Sequence, residues 1–190
     1  MKHPLLALDA PRFRRVYWAL FAATILASAV LQHFGGLYAQ KTDASGQAYD
    51  VIAFEFAGTP ERVEIMKTVW GEEGIAAART QTLLDYVYLL LYSTLIAGGV
   101  LALASQMPHG SFWARTGAAL AWGQWAAAAL DAVENAGLLI SLGSAAHAPW
   151  PQVSWFCAAL KFALVGAGFL YILVFVPCAY RPRAQEPSTP

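Results

Sequence analysis

Four stretches of this chain are each about 20 residues or longer and almost wholly apolar, and this feature constrains the fold more than any other. They run from about Val16 to Phe34, Leu83 to Ala104, Thr116 to Ser141 and Val153 to Val176. A backbone in hydrocarbon has no water to bond with, so it must satisfy its N–H and C=O groups internally, and at this length that means helix. With 58% hydrophobic and 13% charged residues, the chain is too apolar for an ordinary soluble domain. Lys+Arg 12 and Asp+Glu 12 cancel and are scattered, which excludes a nucleic-acid footprint.

The connections Gln106–Ser111 and Gly143–Pro151 are short and carry Gly, Pro and Ser, so the last three helices should be antiparallel neighbours. The expected fold class is an all-α integral membrane protein: one membrane domain over residues 1–190, built as an antiparallel four-helix transmembrane bundle. A short extracytoplasmic amphipathic helix should lie between the first and second spans, and residues 177–190 should form a cytoplasmic tail. Arg12, Arg14 and Arg15 before the apolar run that ends in Ala27-Ser28-Ala29 admit a signal peptide as the alternative. The apolar character continues past that point to Leu37 and Tyr38, and Tyr17 and Trp18 suit an interfacial belt, which favours a retained helix.

Orientation follows from the basic residues. Lys2, Arg12, Arg14, Arg15, Arg115, Arg181 and Arg183 fall on one side of such a bundle, and the loop between spans three and four has no Lys or Arg. Both termini are therefore expected inside, in the inner (plasma) membrane. Cys157 and Cys178 lie about 30 Å apart along one helix, too far to bridge.

The segment 35–82 is the sizeable region outside the spans. Lys41–Gln47 reads as a turn, Tyr49–Phe56 as a short strand or extended run, and Thr59-Pro60-Glu61 as a helix start with Thr as N-cap and Pro at the first position. In the helix over about 60–71, Val63, Met66, Val69 and Trp70 share one face, which must pack on the bundle end or the bilayer interface, or close an outward-facing pocket. Gly71 and Gly74 should break it from the second span.

Ionisable residues at membrane depth are costly and mark a structural pair or a working site. The candidate acids are Asp131 and Glu134, in catalytic roles if the protein turns over a substrate. Asp85, Tyr88, Tyr92, Gln124, Asn135 and Lys161 are the expected ligand-binding residues. Gln81, Asp85, Tyr88 and Tyr92 are spaced four, three and four apart and so form one helical stripe. Asp85, Asp131 and Glu134 against Lys161 leave net −2 in a low-dielectric place, so a retained proton, a cationic ligand or metal, or water from the outer face must offset it. The pattern points to an acidic intramembrane pocket that binds, and in an enzymatic version processes, a lipid-like or other apolar small molecule. The alternatives are a non-catalytic assembly subunit and an oligomeric proton or cation conductor. A metal site using His33, His147 and the carboxylates has no ligand motif behind it, and no metal and no cofactor are expected. The expected partners are the bilayer, a small amphiphilic ligand and, through the small-residue faces of helices three and four, a second copy of the chain.

Overall fold

A computed structural model describes residues 3–143 and 145–179, the side chains of residues 178 and 179 excepted. Lys2, Arg181, Arg183 and the tail beyond residue 179 lie outside the described residues, as does the side chain of Cys178. The described chain is all-helical: a 3₁₀ turn at Pro4–Ala7, then α1 (Ala10–Gly36), α2 (Val51–Glu55), α3 (Pro60–Ala104), α4 (Phe112–Gly143) and α5 (Trp150–Ala179). α1, α3, α4 and α5 are long and apolar enough to cross a membrane.

The helices outrun the apolar stretches because capping chemistry sets their ends. Asp9 caps α1, its Oδ1 accepting from the Arg12 N–H at 2.8 Å, so the arginines that precede the apolar run are helical too. Ser111 accepts similarly from Ala114 N–H, starting α4 ahead of Thr116. α3 absorbs both the predicted short helix and the second span. Gly71 inside it has φ 65° and ψ −177°, a conformation open essentially to glycine alone, and this kink is the break anticipated there. Gly74 serves differently. It is helical, and a Cβ on it would stand 2.7 Å from Trp70 Cβ and 3.1 Å from Tyr38 Cβ.

The run Tyr49–Phe56 is not a strand, and that expectation is corrected. Asp50 accepts from the Ala53 N–H at 2.8 Å and nucleates α2, while among the described residues the β pairing is an isolated bridge between Thr42 and Ala48. A short apolar run does not distinguish strand from helix by periodicity, and here the cap decides. Before it, hydrogen bonds from the Ser45 and Tyr49 hydroxyls and the Gln47 N–H hold the Asp43 carboxyl down at about 2 and fix the turn.

Two apolar clusters organise the interior. The first joins the segment between α1 and α3 to the adjoining end of the bundle: Val63, Met66 and Trp70 are fully buried against Tyr38, Phe54 and Leu138. The predicted apolar face of residues 60–71 thus packs on the bundle end. The second cluster, around Val100, Ala121 and Tyr171, lies toward the other end. α4 is central, packed along both α3 and α5. Its glycines let its neighbours close in: a Cβ at Gly117 would meet Ala104 Cβ at 2.6 Å, and one at Gly137 would meet Ser154 Oγ at 2.5 Å. α1 stands apart, making its helix contacts almost entirely with α3.

Candidate functional site

The ionic centre follows from where α4 and α5 face each other. Lys161 on α5 is 6% exposed, so its ammonium has to find its partners within the protein. It donates to Asp131 Oδ1 at 2.7 Å and Glu134 Oε1 at 3.0 Å, acids three residues apart and thus on adjoining parts of one α4 face. The other Asp131 oxygen accepts from the Tyr92 hydroxyl of α3 at 2.9 Å. About one turn further along α4, Asn135 donates its amide to Asp85 Oδ2 at 2.8 Å. Six of the residues expected from sequence thus fall into two neighbouring polar groups across three helices: Tyr92, Asp131, Glu134 and Lys161 in one, Asp85 and Asn135 in the other.

Sequence reasoning missed a member. Glu55, at the end of α2, places Oε1 3.5 Å from Lys161 Nζ and is 7% exposed, although it belongs to the segment between the first two spans. Its Oε2 makes no hydrogen bond, and neither does Oε2 of Glu134. Burial pushes the Glu55 carboxyl up to about 7; Lys161 pulls it down, and the charges of Asp131 and Asp85 push it further up. The available signal was a lone carboxylate inside the apolar run Val51-Ile52-Ala53-Phe54-Glu55-Phe56, just after a capping aspartate. With Glu55 included, four acids surround one lysine, and the formal sum is −3 rather than −2.

A cavity of about 530 Å³ opens beside this centre. Its polar end is lined by Gln81, Asp85, Tyr88 and Tyr92, the complete stripe read from spacing, together with Glu55, Asp131, Asn135 and Lys161. Its other end is apolar, walled by Leu95 and Ile96 of α3 and Val165, Phe169 and Ile172 of α5. α1 closes a long side with residues from Tyr17 to Gln32, about 22 Å along a helix at 1.5 Å per residue. Since α1 and α5 line the cavity yet scarcely touch each other, the slot has a flank between them.

Two expected residues stand away from this cavity. Gln124 is fully buried and donates to Leu164 O at 2.9 Å, with its Nε2 in the space that a Cβ on Gly168 would fill, so it braces α4 on α5. Glu134 reaches Lys161 from behind and does not line the cavity. Tyr88 lines it and leans on Tyr92 with ring centroids 5.3 Å apart. His33 stacks edge-on against Phe34, and His147 lies beside Ala148 O; neither lines the cavity. Among the described residues no three His, Cys, Asp or Glu side chains gather as metal ligands would.

Fold and site together define a class: a multi-pass helical protein of membrane-spanning proportions with a buried ionic centre beside an elongated cavity. No known family, characterised protein or solved structure matches this chain.

Proposed function

We propose that this chain is an inner-membrane protein that holds a lipid-like, amphiphilic small molecule in the cavity, its polar end at the acids in the outer half of the bundle. The observation that carries this reading is the cavity's polarity gradient, from Asp85, Glu55 and Asp131 at one end to Phe169 and Ile172 at the other. An amphiphile is the ligand type whose own polarity runs the same way along its length.

Several features support the membrane setting. Large apolar side chains such as Leu26, Leu90, Leu170 and Leu173 point outward and are more than half exposed, which suits lipid contact. Arg79 meets Leu142, Asp85 meets Asn135, and Gly117 abuts Ala104, a sequence of pairs that runs oppositely along α3 and α4, as in an antiparallel bundle. Arg12, Arg14, Arg15 and Arg115 collect at the end away from α2, which supports a reading with the termini toward the cytoplasm. In this reading Asp131 and Glu134 fix Lys161, and Asp85, Tyr88 and Tyr92 meet the ligand.

Native mass spectrometry with lipid extraction on the gently solubilised protein tests the proposal. One small amphiphile per chain should co-purify with the wild type and be lost from Ser28→Trp, which fills the slot from α1. A wild type that carries no ligand, or carries another polypeptide instead, would overturn the reading in favour of an assembly subunit.

A further inference from the structure

The ligand's chemistry can be narrowed further, on the footing that the cavity holds an amphiphile as proposed above. The relevant observations are the unbalanced charge, the unused acceptors and the slot's dimensions.

The charges that neutralise one another are already paired. Lys161 spends its closest contacts on Asp131 and Glu134, and Asp131's remaining oxygen takes the Tyr92 hydroxyl. The two cavity-wall acids left are less well provided for. Glu55 is held by Lys161 at 3.5 Å through Oε1, while Oε2 is buried without any hydrogen bond. Asp85 receives a neutral amide from Asn135 through Oδ2. Both line the polar end of the slot. The group that suits them best donates hydrogen bonds and carries positive charge, because charge-assisted hydrogen bonds are roughly twice as strong as neutral ones.

The slot's shape sets the rest of the molecule. A volume of about 530 Å³ lies along about 22 Å of α1, so the slot is elongated and suits an extended hydrocarbon chain. Because α1 and α5 line the slot without packing on each other, such a chain can pass between them from the side.

We infer that the ligand is a single-chain amphiphile with a protonated amine head, seated with its ammonium between Glu55 and Asp85 and its chain running toward Tyr17 and Ile172. An ammonium there sits against the Glu55 and Asp85 carboxyls that line the slot and lowers the formal charge of the centre from −3 to −2. An alcohol head of the same length supplies a donor without the charge. A carboxylate head adds to the repulsion.

The test compares head groups on one chain. Wild-type protein in phosphatidylcholine nanodiscs is titrated with hexadecylamine, hexadecanol or hexadecanoate, and occupancy per chain is read by native mass spectrometry. The amine should saturate at one per chain, at least tenfold tighter than the alcohol, with hexadecanoate weakest. Glu55→Gln and Asp85→Asn, which keep side-chain shape, should each weaken the amine about tenfold and the alcohol by much less. Equal or tighter binding of the alcohol or of hexadecanoate by the wild type would overturn the amine assignment while leaving the amphiphile pocket standing. If none of the three reaches one per chain in wild type, or Ser28→Trp binds them equally well, both the inference and the function it rests on fall. The head-group comparison on wild type needs no variant, so a misfolded mutant does not spare the inference.

Discussion

Replacing Lys161 with methionine removes the one cation of the centre while keeping an unbranched side chain of similar length. Three carboxylates lose a partner at once: Asp131 at 2.7 Å, Glu134 at 3.0 Å and Glu55 at 3.5 Å. Their surroundings cannot make good the loss, because Asp131 and Glu134 are 2% and 0% exposed and Tyr92 serves only one Asp131 oxygen. Breaking a buried pair by deleting one partner costs about 3–5 kcal/mol, since the orphaned charge keeps its desolvation penalty. Asp131→Asn should cost less, about 1–2 kcal/mol, because Lys161 retains Glu134 and Glu55. The double variant should be less damaged than the two singles added together, with a coupling of about 1–3 kcal/mol. Unfolding in mixed micelles titrated with sodium dodecyl sulfate, followed by the fluorescence of the seven tryptophans, measures all three. A Lys161→Met loss under about 1 kcal/mol, or strict additivity in the double variant, would refute the view that these charges are energetically coupled.

Glu55 gives the protein a pH dependence: with its carboxyl raised from 4.5 to about 7 by burial, the folded chain keeps a proton that the unfolded chain releases. That contribution is full below about pH 4.5 and is lost as the pH rises through about 7, so stability should fall between pH 5 and 8, and Glu55→Gln should flatten this part of the profile in the same unfolding assay. Lys161, Asp131, Asp85 and Glu134 face Glu55 and set how steep the fall is. Glycines give a paired test of packing. Gly117→Ala, whose Cβ would meet Ala104 Cβ at 2.6 Å and Tyr171 Oη at 2.7 Å, should destabilise by about 1–3 kcal/mol, whereas Gly166→Ala, with nothing within 4 Å, should be neutral or stabilise by up to about 1 kcal/mol. Thermal melts of the two variants side by side decide the matter, and equal shifts would contradict the close α3–α4 approach.

How far the site can be read from sequence depended on how each residue is carried. The stripe Gln81, Asp85, Tyr88 and Tyr92 was legible because regular helical spacing fixes a shared face, and the complete stripe lines the cavity. The match of Lys161 to Asp131 and Glu134 was legible from depth, since a short connection puts α4 and α5 side by side. That Gln124 turns to α5 rather than to the cavity was not legible, for a reason inherent in a central helix: α4 is buried against two neighbours, and spacing alone does not tell which one a face meets. Glu55 escaped because its position depends on a tertiary event, the folding of α2 back onto the bundle, which neither its own periodicity nor its distance along the chain from Lys161 records.

The placement of Lys161 on the last helix has a consequence for biosynthesis. Ribosomal synthesis runs from the N-terminus, so Glu55, Asp85, Asp131 and Glu134 are all made before the residue that offsets them. In the proposed topology Glu55 has already crossed to the outer side by then, and α3 and α4 wait in the bilayer with unmatched acids. The arrival of α5 is therefore the step that closes the centre. A chain stalled or truncated ahead of residue 161 holds every negative charge of the site and none of its counter-charge.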